Sequence, residues 1–223
     1  MATLRILSVN LLVDRADPED LARVIAQQRP DVIATQELGP RTAAAIRESH
    51  RHGHLEPSGD FFGMGIAATR PISVERLPLA RRSGWVARLE PENWPTLSAP
   101  LEVLDVHLVN PVDRPWGATR TARRRQIAQI GSYLAGRTVA GVIIGDMNSS
   151  PAWPEYRLLS ALGVDAARAT GSAKRTWAPF VRGPRLLRID HAFVSGVDPA
   201  GTAVVPVRGT DHSALVVDLE MPS

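Results

Sequence analysis

Eight residues of chemistry-bearing type interrupt or border otherwise apolar stretches of this chain. Asn10 closes the run from Leu4, and Glu37 ends the run from Asp31. His107 lies late in Leu101–Leu108, and Asp146 with Asn148 follows Val-Ile-Ile-Gly. Asp190 stands inside Leu-Leu-Arg-Ile-Asp-His-Ala-Phe-Val, and Asp211-His212 precedes a last apolar run. Any one of them alone reads equally well as a turn residue capping its own backbone. If the runs are strands lying side by side, their ends gather carboxylates, asparagines and histidines at one edge. Such a gathering of acids is unfavourable unless a cation compensates it. With no cysteine in the chain, oxygen ligands favour a hard ion, Mg2+ or Mn2+. The histidines add groups that titrate or donate near neutral pH. Acids for a metal and a water, with amide and imidazole for an anionic oxygen, describe metal-assisted phosphoester hydrolysis.

The elements that must position these groups alternate in type. Leu-Arg-Ile-Leu-Ser-Val-Asn has no helical period and predicts a buried strand. Asp17-Pro18-Glu19-Asp20 is a helix start, with Leu21, Val24, Ile25 and Gln28 at helical spacing before Arg29-Pro30. Asp31–Glu37 is the next strand, so the opening is a crossover unit of a parallel pair. A helix is expected over Thr42–Glu48. Residues 49–62 are hard to read, and strands follow at Gly65–Thr69, Trp85–Leu89 and Leu101–Leu108, separated by turns that contain proline, Pro78 among them. Thr119–Leu134 is a helix with Ile127, Ile130 and Leu134 inward, Val139–Ile144 a buried strand, and Tyr156–Leu162 a helix. Leu187–Val194, Ala203–Val207 and Leu215–Leu219 close the chain as strands. No linker separates the halves. A single domain over 1–223 is expected, a layered α/β sandwich of two sheets with helices outside.

In order along the chain, Ser-Val-Asn10, Gln-Glu37-Leu, Val-His107-Leu, Gly-Asp146-Met-Asn148, Arg-Ile-Asp190-His and Thr-Asp211-His212-Ser together resemble the endonuclease/exonuclease/phosphatase superfamily. The resemblance runs from residue 10 to residue 215 and implies a four-layer α/β/β/α sandwich with the site at the sheet edges. It also implies roles. Glu37 is the principal Mg2+ ligand, with Asn10 and Asp211 nearby. Asp146 orients and activates the attacking water, and Asn148 holds a phosphate oxygen. His212 donates to the phosphate while Asp190 fixes its tautomer. His107 takes the second histidine position of the deoxyribonuclease and phosphatase branches; in the deoxyribonuclease branch a glutamate pairs with it, and Asp60 is the only acid near the corresponding place. Arg123 and Gln126 match the family's Arg-x-x-Gln, which puts Arg123 on the substrate side, and Trp177 falls where relatives set an aromatic against the substrate, although a packed indole accounts for it equally well.

Other signals admit plainer readings. Gly63-Met-Gly65-Ile-Ala imitates a dinucleotide fingerprint, but Pro71 forbids the helix it needs; a small-residue strand is expected. His50, His52 and His54 alternate as metal ligands on one strand face would, yet Arg51 and Gly53 between them read as a solvated loop. Trp116 sits on a loop where it would stack on a base.

Composition bounds the rest. The 223 residues carry 26 basic groups, of which Lys174 is the one lysine, against 23 acids. Residues 110–190 hold a net +8 and the remainder −5. Such a basic stretch suits an anionic partner, and guanidinium forks match phosphate oxygens, although an arginine-rich codon bias accounts for the excess equally well. The absence of cysteine excludes disulfide scaffolds and thiol nucleophiles. No signal peptide or spanning stretch is legible, so a cytoplasmic protein with no membrane partner is expected; oligomeric state is left open. The expected activity is hydrolysis of a phosphate ester, nucleic acid first. The alternatives are a lipid, inositol or small-molecule phosphoesterase on the same fold and, from another class, a catalytically dead binding module, which the full set of acids and histidines argues against.

Overall fold

The computed structural model describes residues 3–112 and 116–221, with Trp116 described in its backbone alone. Two six-stranded sheets face each other. The first orders β11-β12-β1-β2-β4-β3, with β1 Thr3–Asn10, β2 Val32–Gln36, β3 His52–Glu56, β4 Met64–Ala68, β11 Asp198–Pro206 and β12 Ser213–Glu220. The second orders β5-β6-β7-β8-β10-β9, with β5 Ser73–Leu79, β6 Arg82–Leu89, β7 Leu101–His107, β8 Ala140–Asp146, β9 Val164–Asp165 and β10 Asp190–Ser195. Each sheet contains one parallel pair, made by a crossover helix: α1 (Pro18–Gln28) joins β1 to β2, and α3 (Trp116–Leu134) joins β7 to β8. The other helices are α2 (Pro40–Arg47), α4 (Pro154–Leu159) and the single turn α5 (Ala166–Ala169).

Three cores follow from strand alternation. Leu4, Ile6, Val103, Val142 and Val217 pack between the sheets. Leu7, Val9 and Ile33, on the opposite face of the first sheet, meet Leu21, Val24 and Ile46 of α1 and α2. Leu104, Val106 and Ile143 of the second sheet meet Ile127 and Ile130 of α3 and Leu159 of α4. These are the four layers expected. Among the described residues no helix is long and apolar enough to cross a membrane.

The inner faces change character along their length. On β1 the inward residues run Leu4, Ile6, Ser8, Asn10; on β7 they run Leu101, Val103, Asp105, His107. β8 ends on Asp146 and β10 begins on Asp190, paired with each other in register. These polar inward residues thus lie toward one edge, where the carboxyl ends of the parallel strands meet the amino ends of their antiparallel neighbours.

Several sequence expectations need correction. Pro78 is not a turn residue; it lies within β5, which pairs only with β6 among the described residues, and an edge strand tolerates a missing N–H. Residues 52–56 form the edge strand β3, not a loop. His50 precedes it, buried, with Nε2–H on the Pro30 carbonyl at 2.9 Å, while His54 lies against the Trp85 ring. The three histidines therefore share no ligand-bearing face. The first helix, the opening crossover and the small-residue strand β4 stand as read. At Gly63 an added Cβ would come 1.9 Å from the Leu38 carbonyl oxygen, so the glycine there serves backbone contact and not a phosphate. The side chain of Trp116 lies outside the described residues.

Gly145 sits on β8 beside the pair His107–Asp146, with φ 139° and space for no Cβ, which would fall 2.0 Å from the Val106 carbonyl oxygen. Gly145→Ala is therefore expected to cost about 2–3 kcal/mol, read as a lower urea midpoint at unchanged m. An unaltered midpoint would mean that β7 and β8 do not approach this closely.

Candidate active site

Asp146 is the centre of the edge. It belongs to the second sheet, yet its Oδ2 accepts from Asn10 Nδ2 of the first at 3.1 Å, while Oδ1 accepts the Asn148 N–H at 2.8 Å. The same Asn10 amide reaches Glu37 Oε1 at 3.1 Å, and its side-chain carbonyl is taken by the Leu12 N–H at 2.9 Å. Asn10 thus presents its NH2 to both carboxylates and orients them. Thr210 Oγ1 donates to the Asn10 backbone carbonyl and accepts the His212 N–H, tying the start of β12 to the end of β1.

Glu37 leaves β2 in the left-handed region, φ 50°, a conformation costly for a non-glycine residue. The turn is held by Leu38 N–H on the Gly63 carbonyl and Asp14 N–H on the Glu37 carbonyl. Asn148 ends the β8 extension in the same region, φ 46°, which asparagine tolerates better. Its amide donates to the Leu108 carbonyl at 3.0 Å and, at 3.3 Å, to Asp146 Oδ2.

The two histidines are set apart by their neighbours. His212 Nδ1–H donates to Asp190 at 3.0 Å, leaving Nε2 3.7 Å from Asp146 Oδ2. Burial opposes charge on the ring, but Asp190 and Asp146 outweigh it and push the pKa up to about 10. Asp190 is in turn held by the Thr176 hydroxyl, which accepts its N–H. His107 has Nε2 3.6 Å from Asp146 and 3.9 Å from Glu37. Burial, with the positive charges of Arg82 and His212, holds it well below the ordinary histidine value. Its Nδ1 has no hydrogen-bond partner among the described residues. Asp60 does not supply one: it accepts from Ser58 Oγ and the Phe62 N–H on an exposed loop. Burial raises Asp146 to about 7 and raises Glu37, the latter with help from Asp211.

A cavity of about 460 Å3 opens over these groups, lined by Glu37, His107, Asp146, Asn148, Asp211 and His212 with an apolar wall that includes Trp153 and Trp177. A larger groove of about 1260 Å3 lies at the far side, around α4, β9 and the β10–β11 turn, away from every group that the edge gathers. Trp177 both packs and lines: its Nε1–H donates to Asp211 Oδ2 at 2.9 Å. Arg123 does not line the cavity. It is buried, with its guanidinium on the Asn148 carbonyl at 2.6 Å and on Ser149 Oγ. The expected substrate contact becomes a support behind the Asn148 turn, because α3 packs that face of the loop. Gln126 braces the other side through the Val109 N–H.

The acids also fit a divalent ion. Asp146, Asp190 and His212 offer ligand atoms within 4.8 Å of one another. However, a ring that donates to Asp190 and stays protonated is a poor ligand, so we read this trio as a hydrogen-bonded dyad facing a carboxylate. Glu37 and Asp211 suit a cation better. Both line the cavity, the charge of Asp211 makes Glu37 harder to ionise, and Asp211 Oδ1 is buried without a hydrogen-bond partner among the described residues. Two carboxylates with water complete the usual needs of Mg2+.

Sequence reasoning missed Arg82, Thr210 and His191. Arg82 stands at the β5–β6 hairpin tip beside Arg81, where nothing in the local pattern marks it. His191 follows Asp190 but points the other way, with Nε2–H on the Ser149 carbonyl at 2.7 Å. Thr210 had a signal in the Thr-Asp-His run, two residues before the histidine whose backbone N–H it accepts.

The family model of the endonuclease/exonuclease/phosphatase family matches residues 7–212. No curated protein sequence matches the chain significantly. Among solved structures, an endonuclease/exonuclease/phosphatase from Bacteroides vulgatus superposes with TM-score 0.77 at 17% identity, covering 100% of both chains. The corresponding protein of Beutenbergia cavernae gives 0.76 at 18%, covering 100% of this chain and 72% of its own. Truncated TDP2 of Caenorhabditis elegans gives 0.73 at 17%, covering 97% of each. At these identities the likeness is one of fold.

Imidazole nitrogen NMR checks the division between the histidines. His212 is expected to stay doubly protonated through neutral pH and titrate near 10, while His191 stays neutral down to about 4 and His107 well below its usual value. Asp190→Asn should bring His212 back toward the ordinary range. A native His212 titrating near the ordinary value of about 6.5 would break the assigned dyad.

Proposed function

The chain belongs to the endonuclease/exonuclease/phosphatase family, whose members hydrolyse phosphate esters, and from that premise we propose that it is a divalent-metal-dependent phosphodiesterase acting on nucleic acid. One observation carries the reading: Asp146 and His212 face each other at 3.7 Å across the cavity floor, with their proton affinities displaced in ways that suit a base and a donor. Attack on phosphorus needs a group to take the proton of water and another to balance charge gathering on the phosphoryl oxygens. Asp146, raised by burial to about 7, takes the proton. His212, held as imidazolium by Asp190, donates from Nε2 to a phosphoryl oxygen as the five-coordinate state forms. Asn148 supplies an amide N–H to the same phosphate, and neutral His107 faces it from the β7 side. Glu37 with Asp211 would hold Mg2+ or Mn2+, which supplies Lewis acidity and more acidic water when bound; Asn10 orients Glu37 for it.

Nucleic acid is favoured by the basic stretch between residues 110 and 190. Its α3 arginines Arg120 and Arg124 are exposed and flank Glu155, next to the Trp153 loop that lines the cavity. The apolar part of the lining, Leu12, Leu187 and Ile189 among it, also supports a second reading, a lipid or small-molecule phosphoesterase of the same chemistry.

Purified protein with Mg2+ is expected to hydrolyse a bis-aryl phosphodiester, to lose this activity in EDTA and to regain it with Mg2+ or Mn2+. Glu37→Gln and His212→Ala should each lower turnover by about 10²-fold or more. The rate should rise with pH as Asp146 loses its proton, at or below about 7 because a nearby cation favours the carboxylate. It should fall as His212 loses its own near 10. Inertness with and without metal would leave the binding-module reading. Comparing plasmid, RNA, phosphoinositides and a monoester then separates the nuclease from the lipid and small-molecule readings.

A further inference from the structure

Exposed aromatic side chains gather beside the cavity. Phe61 and Phe62 are 47% and 54% exposed, and their rings lie 4.9 Å apart. Phe61 lines the cavity itself, together with Arg82 and Val112, and Val112 is also largely exposed. Adjacent apolar groups left in water at the mouth of a cavity are a signature of binding.

This corner is built and held. Asp60 fastens the loop by accepting the Phe62 N–H and Ser58 Oγ. Gly63 packs its backbone on the Leu38 carbonyl. The Arg82 guanidinium spans both rings, with Cζ 4.8 Å and 4.9 Å from their centroids, and donates to the Phe61 carbonyl at 2.6 Å. Its charge reaches the catalytic groups, since it lowers the proton affinity of both Glu37 and His107. A fixed cation and an exposed ring therefore stand side by side next to the acids and histidines proposed to act on phosphate.

A nucleotide unit offers the matching pair, an anionic phosphate and a flat base. We propose that the Phe61–Phe62–Arg82 corner is the subsite for the nucleotide flanking the scissile phosphate, with the base stacked on Phe61 and the flanking phosphate on Arg82. The inference rests on the nucleic-acid reading above and narrows it to unpaired strands, because inside a duplex both faces of a base are already covered by its stacked neighbours, whereas a single strand can offer a face to Phe61. The cavity volume, about 460 Å3, falls in the range of small-ligand sites, which agrees with an entering single strand.

Equilibrium binding of a fluorescein-labelled oligo-dT in EDTA tests the subsite without requiring turnover. Phe61→Leu, which keeps apolar bulk and removes the ring, should weaken binding roughly five- to hundredfold, the range for one stacked base. Phe61→Trp should retain it. Arg82→Gln should reduce the slope of log affinity against log salt by about 0.7, the contribution of one phosphate contact on a single strand, and Arg82→Lys should largely keep the slope. Blunt duplex of equal length should compete poorly. Parental affinity and slope in Phe61→Leu and Arg82→Gln would overturn the subsite. So would binding to phosphatidylserine vesicles but not to oligo-dT, lost in Phe61→Leu, which would assign the corner to a lipid surface. If the binding defects appear while no metal-dependent hydrolysis does, the subsite stands and the catalytic reading fails; normal hydrolysis with no binding defect sinks the subsite alone.

Discussion

A carboxylate buried between two sheets must be met by donors or by protons, and the rest of this site is arranged around meeting Asp146. Its burial lifts the proton affinity to about 7, and the groups that bring this cost down come from separate elements. Asn10 arrives from β1, Asn148 from the turn after β8, and His212 from the start of β12. Asn10 crosses from one sheet to the other to do so. The sheets are thus joined at this edge by a polar contact, whereas lower down they are joined by hydrocarbon. Removing a donor here leaves charge uncompensated in a low-dielectric place, which is costlier than losing an ordinary hydrogen bond.

The same logic separates two histidines of one type in one cavity. His212 has carboxylates on both sides and holds its proton. His107 feels the positive charges of Arg82 and His212, with no hydrogen-bond partner on Nδ1 among the described residues, and its proton affinity falls. A site with one imidazolium and one neutral imidazole can donate to an anion from one side and adapt its tautomer on the other. Had a carboxylate paired with His107 Nδ1, both rings would favour the charged form and Asp146 would be held more firmly as an anion, a weaker base for the proton of water.

Much of this was legible because the parallel crossovers are local in sequence. A helix start at Asp17-Pro18 between two apolar runs implies a parallel pair, and a parallel pair implies that Asn10 and Glu37 emerge together. The same reasoning brings His107 beside Asp146. Polar residues at apolar strand ends could be read for the same reason: alternation assigns them to the inner face. What sequence could not show was three-dimensional adjacency without periodic support. Arg82 reaches the cavity from a hairpin tip, and Phe61 from the loop after an edge strand that glycine and histidine disguised. Arg123 was placed on the right helix but on the wrong side of Asn148, because a short motif match does not say which face of a loop the helix covers.

Beneath the tier of proposed catalytic groups lies a second polar one, and it explains why the edge holds its geometry. Gln36 Nε2 donates to Asp105 Oδ1 at 2.6 Å and, more weakly, to Ser8 Oγ at 3.3 Å. The bond again crosses from the first sheet to the second. Asp105 is fully enclosed, and burial raises its proton affinity well above the carboxylate range, against the hydrogen bond from Gln36. Its other oxygen and the Gln36 carbonyl are both left without partners among the described residues when each is counted as an acceptor. The Gln36 amide donating to Asp105 makes a polar clasp between the sheets. Gln36 precedes Glu37, and Asp105 lies two residues before His107 on the same face. The clasp therefore fixes the spacing of the strands that carry the proposed metal ligand and His107, and it does so one layer away from the cavity.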